Sequence, residues 1–199
     1  MPSLLLATRN SGKVREIARI LEDAGWSLCS LREFEHVETP EENGETYADN
    51  AIAKARFYAA ATGLCALADD SGLEVETLGG APGVFSARYA GENASDADRR
   101  ELLLAELAKT NDNDRRARFV CVVAIASADG AVLKVSEGTC EGTITFAPRG
   151  AGGFGYDPLF IPDGYNQTFA ELPAEVKNQI SHRARALIKT HQFLKSCKS

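Results

Sequence analysis

The sequence lacks the cysteine pattern of a zinc site or of a disulfide framework. Its five cysteines are odd in number and widely spaced, and no C-x-x-C pair occurs. A structural zinc site and a disulfide-stapled fold are therefore disfavoured, and a reduced, cytoplasmic setting is expected. The cysteines are Cys29, Cys65, Cys121, Cys140 and Cys197.

Long apolar runs and an excess of basic residues are missing as well. No segment approaches the roughly 20 apolar residues that span a bilayer, so no membrane partner is expected. The opening MPSLLLATRN has no basic stretch ahead of its short apolar run, which predicts a strand and not a signal peptide. The net charge of −6 argues against a nucleic-acid polymer as partner. A small anion can still bind where cations are concentrated locally.

The apolar residues that are present recur with the periods of helices and strands. Val14, Ile17, Ala18 and Leu21 lie at i, i+3, i+4 and i+7, which predicts an amphipathic helix over residues 11–24. The alternation of strands with helices, followed by a hairpin, indicates an α/β fold with a mixed sheet. Further helices are predicted at 46–63, 95–109 and 181–195, and strands at 4–6, 64–68, 119–127 and 131–135.

The loop between the first strand and the first helix is a candidate phosphate site. Backbone N–H groups at a helix start, together with a lysine, can bind a phosphate group. It is not a Walker A loop, because the first glycine of that motif is missing. An ordinary loop with a solvated lysine is the alternative. The residues are Thr8, Arg9, Asn10, Ser11, Gly12 and Lys13.

Two acidic segments are candidates for binding magnesium. Asp69 and Asp70 follow an apolar strand, and carboxylates at a strand end suit Mg²⁺, which takes one or two of them plus phosphates and waters. A glutamate of the segment Glu41-Glu42 could supply the other ligand. The alternatives are a polar turn at the aspartates and a solvated acidic loop at the glutamates.

A glycine-rich segment, GGFGYDP at residues 152–158, and a basic segment near the last helix could bind a base. Phe154 stands among glycines, where an aromatic ring can stack on a base, and Asp157 can accept from a ring N–H. Lys177 supplies a cation, while His182 and Arg183 can donate to a carbonyl oxygen. A tight turn with a buried phenylalanine and a capped helix with exposed basic residues are the alternatives.

Five blocks, taken in order, resemble the inosine triphosphate pyrophosphatase family, also called dITP/XTP pyrophosphatases. The resemblance covers nearly the whole chain and implies a single domain over residues 1–199. It implies an α/β fold with an elongated central mixed sheet flanked by helices, two lobes with an active-site cleft between them, and a homodimer. The blocks are LLLATRNSGKVREI, EENGETYADNAIAKAR, ALADDSGLEVETLGGAPGVFSARYAG, GGFGYDPLF and ISHRARAL.

The same resemblance implies an activity and assigns residues to it. The family hydrolyses deaminated purine nucleoside triphosphates (dITP, ITP and XTP) with Mg²⁺, yielding the monophosphate and pyrophosphate. Asp70 would bind Mg²⁺ and accept the proton, and Glu41 would be the second metal ligand. Spacing alone does not separate Asp69 from Asp70, or Glu41 from Glu42. Substrate would be bound by Thr8, Arg9, Asn10, Ser11, Gly12, Lys13, Ser71, Phe154, Gly155, Tyr156, Asp157, Lys177, His182 and Arg183, and Lys54 is expected to reach a phosphate.

Two other functions use the same residues. A nucleotide-binding sensor would need the phosphate loop and Phe154 but not the acidic residues. A related pyrophosphatase acting on modified pyrimidine nucleotides would keep the acidic residues, but the GGFGYD and SHR segments argue against it. Arg9 stands where relatives often have glycine, and it adds a cation to the loop.

Overall fold

The structure, a computed structural model, describes residues 1–110 and 114–197. The helices are α1 (Ser11–Ile20), α2 (Tyr47–Thr62), α3 (Asp96–Lys109), α4 (Ala174–Ile180) and α5 (His182–Ser196). The strands are β1 (Ser3–Leu6), β2 (Ser27–Ser30), β3 (Cys65–Val75), β4 (Arg116–Ala126), β5 (Val132–Ile144) and β6 (Phe160–Pro162). None of the helices in these two ranges combines the length and the apolar character needed to cross a membrane.

The strands form one mixed sheet in the order β2-β1-β3-β4-β5-β6. β1 pairs in parallel with both β2 and β3, and Leu5 faces Cys29 on one side and Ala66 on the other. β5 pairs with β6 in the antiparallel sense, with Thr143 opposite Ile161. The predicted α/β fold with a mixed sheet is therefore confirmed.

The chain groups into two compact units, and three strands contribute residues to both. Unit 1 comprises residues 1–70, 121–138 and 183–199, and unit 2 comprises residues 71–120 and 139–182.

The core of unit 1 lies between β1 and β3 and the helices α1 and α5. Ile17 of α1 and Leu21, which follows that helix, are fully buried, as are Leu187 and Leu194 of α5. Asn10 caps α1 by accepting from the N–H groups of Gly12 and Lys13. The capped helix start and its apolar stripe thus fix which face of α1 meets the sheet.

Unit 2 has its own core, which is rich in aromatic rings. Phe119 of β4 packs edge-on against Phe160 with 4.7 Å between ring centroids, and Phe169 stacks on Phe119 at 6.1 Å. Leu103 and Leu107 of α3 are buried in the same cluster. Ser95 and Asp98 form a capping box that starts α3 at Asp96.

Two features of the fold differ from the sequence-based expectation. The segment from Asp69 to Gly72 is not a turn at a strand end, because β3 continues through it to Val75. β2, β6 and α4 were not predicted: β2 is four residues long and half polar, β6 has three residues, and α4 has seven. Such short elements carry too few repeats for periodicity to reveal them.

Candidate functional site

The two adjacent aspartates of β3 lie in the middle of a strand and so point to opposite faces of the sheet. The contacts agree with this alternation. Asp69 meets side chains of α1 and α5, whereas Asp70 meets side chains of α2. Neighbouring carboxylates in the sequence therefore have separate surroundings in the fold, and each must be compensated on its own side.

Asp69 is almost fully buried between two cations. Its Oδ2 lies 3.1 Å from Lys13 Nζ and 3.1 Å from Arg183 Nε. Arg183 in turn places Nη1 2.6 Å from Glu16 Oε2. Burial by itself would raise the pKa of Asp69, but Lys13 and then Arg183 outweigh it, so the pKa lies well below its ordinary value. Asp69 is therefore an anion whose main role in this arrangement is to hold Lys13 and Arg183.

Asp70 is compensated less completely. Its Oδ2 accepts from Asn50 Nδ2 at 3.0 Å, and its Oδ1 lies 3.6 Å from Lys54 Nζ. Lys54 is nearer to Glu42, at 2.7 Å. Burial raises the pKa of Asp70, and the lysines Lys54 and Lys13 do not fully offset that effect. Of the two aspartates, Asp70 therefore has the greater affinity for a proton.

Lys54 remains charged although it is largely buried. Burial acts to lower its pKa, but Asp70, Asp69 and Glu42 outweigh that effect, so the pKa lies above its ordinary value. Asn50 precedes Lys54 by one helical turn and also accepts from the Gly44 N–H at 2.8 Å through Oδ1. α2 thus presents Asn50 and Lys54 together to Asp70, and Asn50 ties the segment before α2 to the same place.

The predicted phosphate loop occupies the start of α1, but much of its bonding capacity is used internally. Asn10 Oδ1 accepts from the Gly12 and Lys13 N–H groups at 2.8 and 3.1 Å. Thr8 Oγ1 accepts from the Asn10 N–H at 3.3 Å. Arg9 donates to the Val37 carbonyl at 2.7 Å. Ser11 is exposed. An anion at this loop would therefore meet hydroxyl groups and cationic side chains, whereas the Gly12 and Lys13 N–H groups already donate to Asn10.

A magnesium ion fits this part of unit 1, although no metal cage is preformed. In residues 1–110 and 114–197 no group of three or more His, Cys, Asp and Glu side chains converges as a metal site. Mg²⁺ needs only one or two carboxylates when phosphates and waters complete its shell. Asp70 is incompletely compensated, and Asp69 Oδ1 is buried with no hydrogen-bond partner in those ranges. Both are acceptors that a cation would satisfy.

The two glutamates before α2 have different partners. Glu42 is paired with Lys54, whereas Glu41 is exposed and accepts from the Asn43 amide at 2.7 Å. Within the described ranges no hydrogen bond or ion pair joins Glu41 to Asp70. Lys54 thus contacts both Glu42 and Asp70, whereas the carboxylate of Glu41 lies at the surface.

In unit 2, Asp157 organises the glycine-rich segment. It is buried, accepts from the Phe154 N–H at 2.8 Å, and forms an ion pair with the buried Lys177. Lys177 Nζ also lies 4.7 Å from the centroid of the Phe154 ring. Phe154 is only partly buried, so this contact fixes a ring that retains exposed surface.

The other predicted base-binding residues of unit 2 are held by the protein itself. Tyr156 is buried and donates to the Ser86 carbonyl at 3.0 Å. The Gly155 N–H donates to Asp96 at 2.7 Å, and the Gly155 carbonyl accepts from Arg100 at 2.7 Å. His182 is buried and stacks on Phe119 with 4.5 Å between centroids. Ser71 is partly buried in β3.

Arg183, one of the predicted base-binding residues, is engaged by two carboxylates in this structure. Its side chain is 2% exposed and is committed to Asp69 and Glu16 in unit 1. The physical reason is charge: Asp69 is buried, and Arg183 is one of the two cations that compensate it. The SHR segment therefore places His182 and Arg183 in different units.

Sequence reasoning missed Asn50 and Glu16 as partners of this cluster. Asn50 and Lys54 are the polar pair at i, i+4 within an otherwise alanine-rich helix, and that spacing was a usable signal. Glu16 carried no such signal, because only the fold brings it to Arg183, which lies 167 positions away.

Comparison with known proteins relates this geometry to a family. The family model of the Ham1 family matches residues 4–193. The chain is 52% identical over 191 residues to the dITP/XTP pyrophosphatase of Desulforamulus reducens, covering 96% of this chain and 94% of that protein. It is 50% identical over 188 residues to the dITP/XTP pyrophosphatase of Streptomyces coelicolor, covering 94% of each. The solved structure of a HAM1 protein from Coxiella burnetii superposes with a TM-score of 0.89 at 45% identity, covering 98% of this chain and 100% of that chain.

Proposed function

We propose a function on the premise that the chain belongs to the Ham1 family. The protein hydrolyses the deaminated purine nucleoside triphosphates dITP, ITP and XTP to the monophosphate and pyrophosphate. The observation that carries this proposal is the pair of buried carboxylates in β3. Asp69 lies 3.1 Å from both Lys13 and Arg183, whereas Asp70 accepts from Asn50 and lies 3.6 Å from Lys54. The names of relatives in Desulforamulus reducens and Streptomyces coelicolor support the reaction and its substrates.

Asp70 is assigned the role of general base. It would orient a water molecule and accept its proton as the water attacks the α-phosphorus, with pyrophosphate leaving in line. Asn50 donates to Oδ2, which fixes the orientation of the carboxylate. Its Oδ1 lies 3.6 Å from Lys54 Nζ, so the carboxylate is not held in a close ion pair that would block contact with a water molecule.

The local charge supports the proposal that a divalent ion takes part. Three cations face four carboxylates in this cluster, so the cluster alone does not attract a triphosphate. We assign Mg²⁺ to Asp70 and Glu41, since the carboxylate of Glu42 is already paired with Lys54. The bound ion would supply charge neutralisation on the phosphates and would acidify water. The cluster members are Lys13, Lys54 and Arg183 with Glu16, Glu42, Asp69 and Asp70.

The remaining residues of the α1 loop are assigned to the phosphates. Thr8 and Ser11 offer hydroxyl groups, Arg9 and Lys13 offer positive charge, and Asn10 and Gly12 shape the turn. Lys54 is assigned to a phosphate as well, because an anionic substrate can share it with Asp70 and Glu42. Ser71, which follows Asp70, stays a proposed substrate contact.

Recognition of the base is assigned to unit 2. Phe154 would stack on the purine, since it is the partly exposed ring of its segment and Lys177 supports it. Gly155, Tyr156 and Asp157 hold that ring in place. His182 would donate to the 6-oxo group that hypoxanthine and xanthine share, and adenine would leave this donor unpaired at a cost of about 1–3 kcal/mol. Arg183 acts through Asp69 and so positions the catalytic strand.

The reaction is tested by identifying its product. With ITP and Mg²⁺ the wild-type protein should release pyrophosphate and inosine monophosphate, and should turn over ATP far more slowly. Release of orthophosphate alone would refute attack at the α-phosphorus. Saturable ITP binding without turnover under several divalent ions would instead favour a nucleotide sensor, and a preference for modified pyrimidine triphosphates would favour the related pyrophosphatase.

Matched variants separate the acidic residues. Asp70→Asn should lose turnover by about 10²–10⁴-fold and keep the fold, whereas Asp69→Asn should chiefly lower the free energy of unfolding. Glu41→Gln should raise the Mg²⁺ concentration that gives half-maximal activity more than Glu42→Gln does. Near-normal turnover of Asp70→Asn would remove it from the mechanism.

The homodimer also stays a proposal, which sedimentation of the wild-type protein tests.

A further inference from the structure

A cavity of about 580 Å³ lies in unit 1 beside the start of α1. Its walls come from the α1 loop, from α1 itself, and from the residues that end β2 and begin the following 3₁₀ turn. Two aliphatic side chains complete the walls. The polar residues that line it are Thr8, Arg9, Ser11, Arg15, Ser30 and Arg32.

Three arginines line this cavity, and no acidic or aromatic residue lines it. Arg15 and Arg32 are exposed, and within residues 1–110 and 114–197 neither side chain forms an ion pair. Arg9 uses one donor on the Val37 carbonyl, which anchors its guanidinium and leaves the other N–H groups available. In a protein of net charge −6, such a local excess of positive charge attracts anions.

The acidic residue next to Arg32 in the sequence, Glu33, is hydrogen-bonded within its own turn. Glu33 accepts from the Ser30 N–H at 2.8 Å, while Ser30 Oγ accepts from the Arg32 N–H at 3.3 Å. This capping box fixes the turn that carries Arg32 and directs the carboxylate of Glu33 to the backbone. Among the described residues, Glu33 therefore forms no ion pair with the three arginines.

We propose that the cavity binds inorganic pyrophosphate. The choice of pyrophosphate as the ligand rests on the proposed function, in which pyrophosphate is formed at the adjoining loop. The presence of the three arginines does not depend on that function. Guanidinium groups bind phosphate oxygens in a bidentate manner, and three of them match an anion of several charges. Because no aromatic ring lines the cavity, it offers no stacking surface for a base, so an inorganic diphosphate fits it better than a nucleotide.

The site is placed to hold the leaving group apart from the acidic cluster. Thr8, Arg9 and Ser11 belong to the loop assigned to the substrate phosphates, whereas Lys13 on the same helix is committed to Asp69. A diphosphate that contacts the loop can thus be drawn toward Arg15 and Arg32, which are not needed to compensate a buried carboxylate. Added pyrophosphate that occupies the cavity should therefore inhibit hydrolysis of the triphosphate substrate.

Calorimetric titration with inorganic pyrophosphate, without nucleotide, tests this inference. The wild-type protein should bind it, Arg15→Gln and Arg32→Gln should each weaken binding about tenfold, and the double variant should weaken it further. Arg19→Gln is the matched control, because Arg19 is an exposed α1 arginine paired with Glu22. Inosine monophosphate and orthophosphate are titrated in parallel and should bind more weakly than pyrophosphate.

The outcomes are separable from those of the proposed function. Absence of pyrophosphate binding in a protein that still hydrolyses ITP would overturn this inference and leave the function intact. Equal losses in Arg19→Gln and Arg15→Gln would show that net charge alone is being measured, which also overturns it. Monophosphate binding as tight as that of pyrophosphate would reject the diphosphate as the specific ligand.

Discussion

Replacing Arg183 by methionine should destabilise the protein strongly. Arg183 is 2% exposed and contacts two carboxylates, Asp69 at 3.1 Å and Glu16 at 2.6 Å. Methionine keeps much of the volume but leaves Asp69 with Lys13 as its remaining close cation. Removing one partner of a buried ion pair costs about 3–5 kcal/mol, because the other charge stays buried without compensation. We expect the free energy of unfolding to fall by that amount.

Urea titration followed by tryptophan fluorescence is the assay. The chain has a single tryptophan, Trp26, whose indole donates to the Leu194 carbonyl of α5 at 3.2 Å. Since α5 also carries Arg183, the signal reports on the part of unit 1 in which the change is made. Arg19→Met, which removes a surface pair with Glu22, should cost less than about 1 kcal/mol.

The double variant tests the cause. If Arg183 stabilises the fold by compensating Asp69, then Asp69→Asn combined with Arg183→Met should cost clearly less than the sum of the two single changes. Additive costs, or an unfolding midpoint of Arg183→Met equal to that of the wild type, would refute the view that this ion pair compensates a buried charge.

Three further changes probe other parts of the molecule. Phe154→Leu should weaken ITP binding by about 1–3 kcal/mol, seen as a higher KM, whereas Phe146→Leu, at a 79% exposed ring of the same unit, should not; equal effects would remove Phe154 from base recognition. Gly142→Ala should destabilise the protein by about 1–3 kcal/mol, because its Cβ would lie 2.2 Å from the Ile161 carbonyl oxygen; an unchanged urea midpoint would show that β6 shifts freely. Asp23 has its pKa lowered from 3.8 to about 2 by hydrogen bonds from Lys195 and then His191, so this pairing stabilises the fold above pH 3.8 and is lost as the pH falls toward 2. Asp23→Asn should therefore make the urea midpoint less dependent on pH in that interval, and an unaltered dependence would contradict the pairing.

The long elements of the fold could be predicted because they repeat a pattern many times. α2 begins after Thr46 and ends at Gly63, whose φ of 68° suits glycine, and both residues are readable as helix signals. β3 was the instructive exception. Its polar residues Asp69 and Asp70 resemble a turn in the sequence. Both carboxylates can be buried because cations from α1, α2 and α5 compensate their charge.

The sequence indicates which residues are candidates for the site but not which of them pair with one another. Asp69 and Asp70 are adjacent, so their spacing gives no reason to prefer either as the base. Their environments differ because strand geometry sends them to opposite faces, and the partners on each face come from distant parts of the chain. Arg183 illustrates the same limit: its charge is visible in the sequence, but its burial against Asp69 is set by the packing of α5.

The alternation within β3 also explains why the two aspartates suit different tasks. A residue that holds two cations in place needs a permanently ionised carboxylate, and the low pKa of Asp69 provides it. The proposed base needs a carboxylate that is not committed to a close ion pair, and Asp70, with Lys54 Nζ 3.6 Å from its Oδ1, meets that need. Because both side chains come from one rigid strand, any substitution that moves Asp69 also moves the backbone of Asp70. If Asp70 is the base, as proposed, loss of Arg183 should therefore lower turnover in the folded fraction as well as stability.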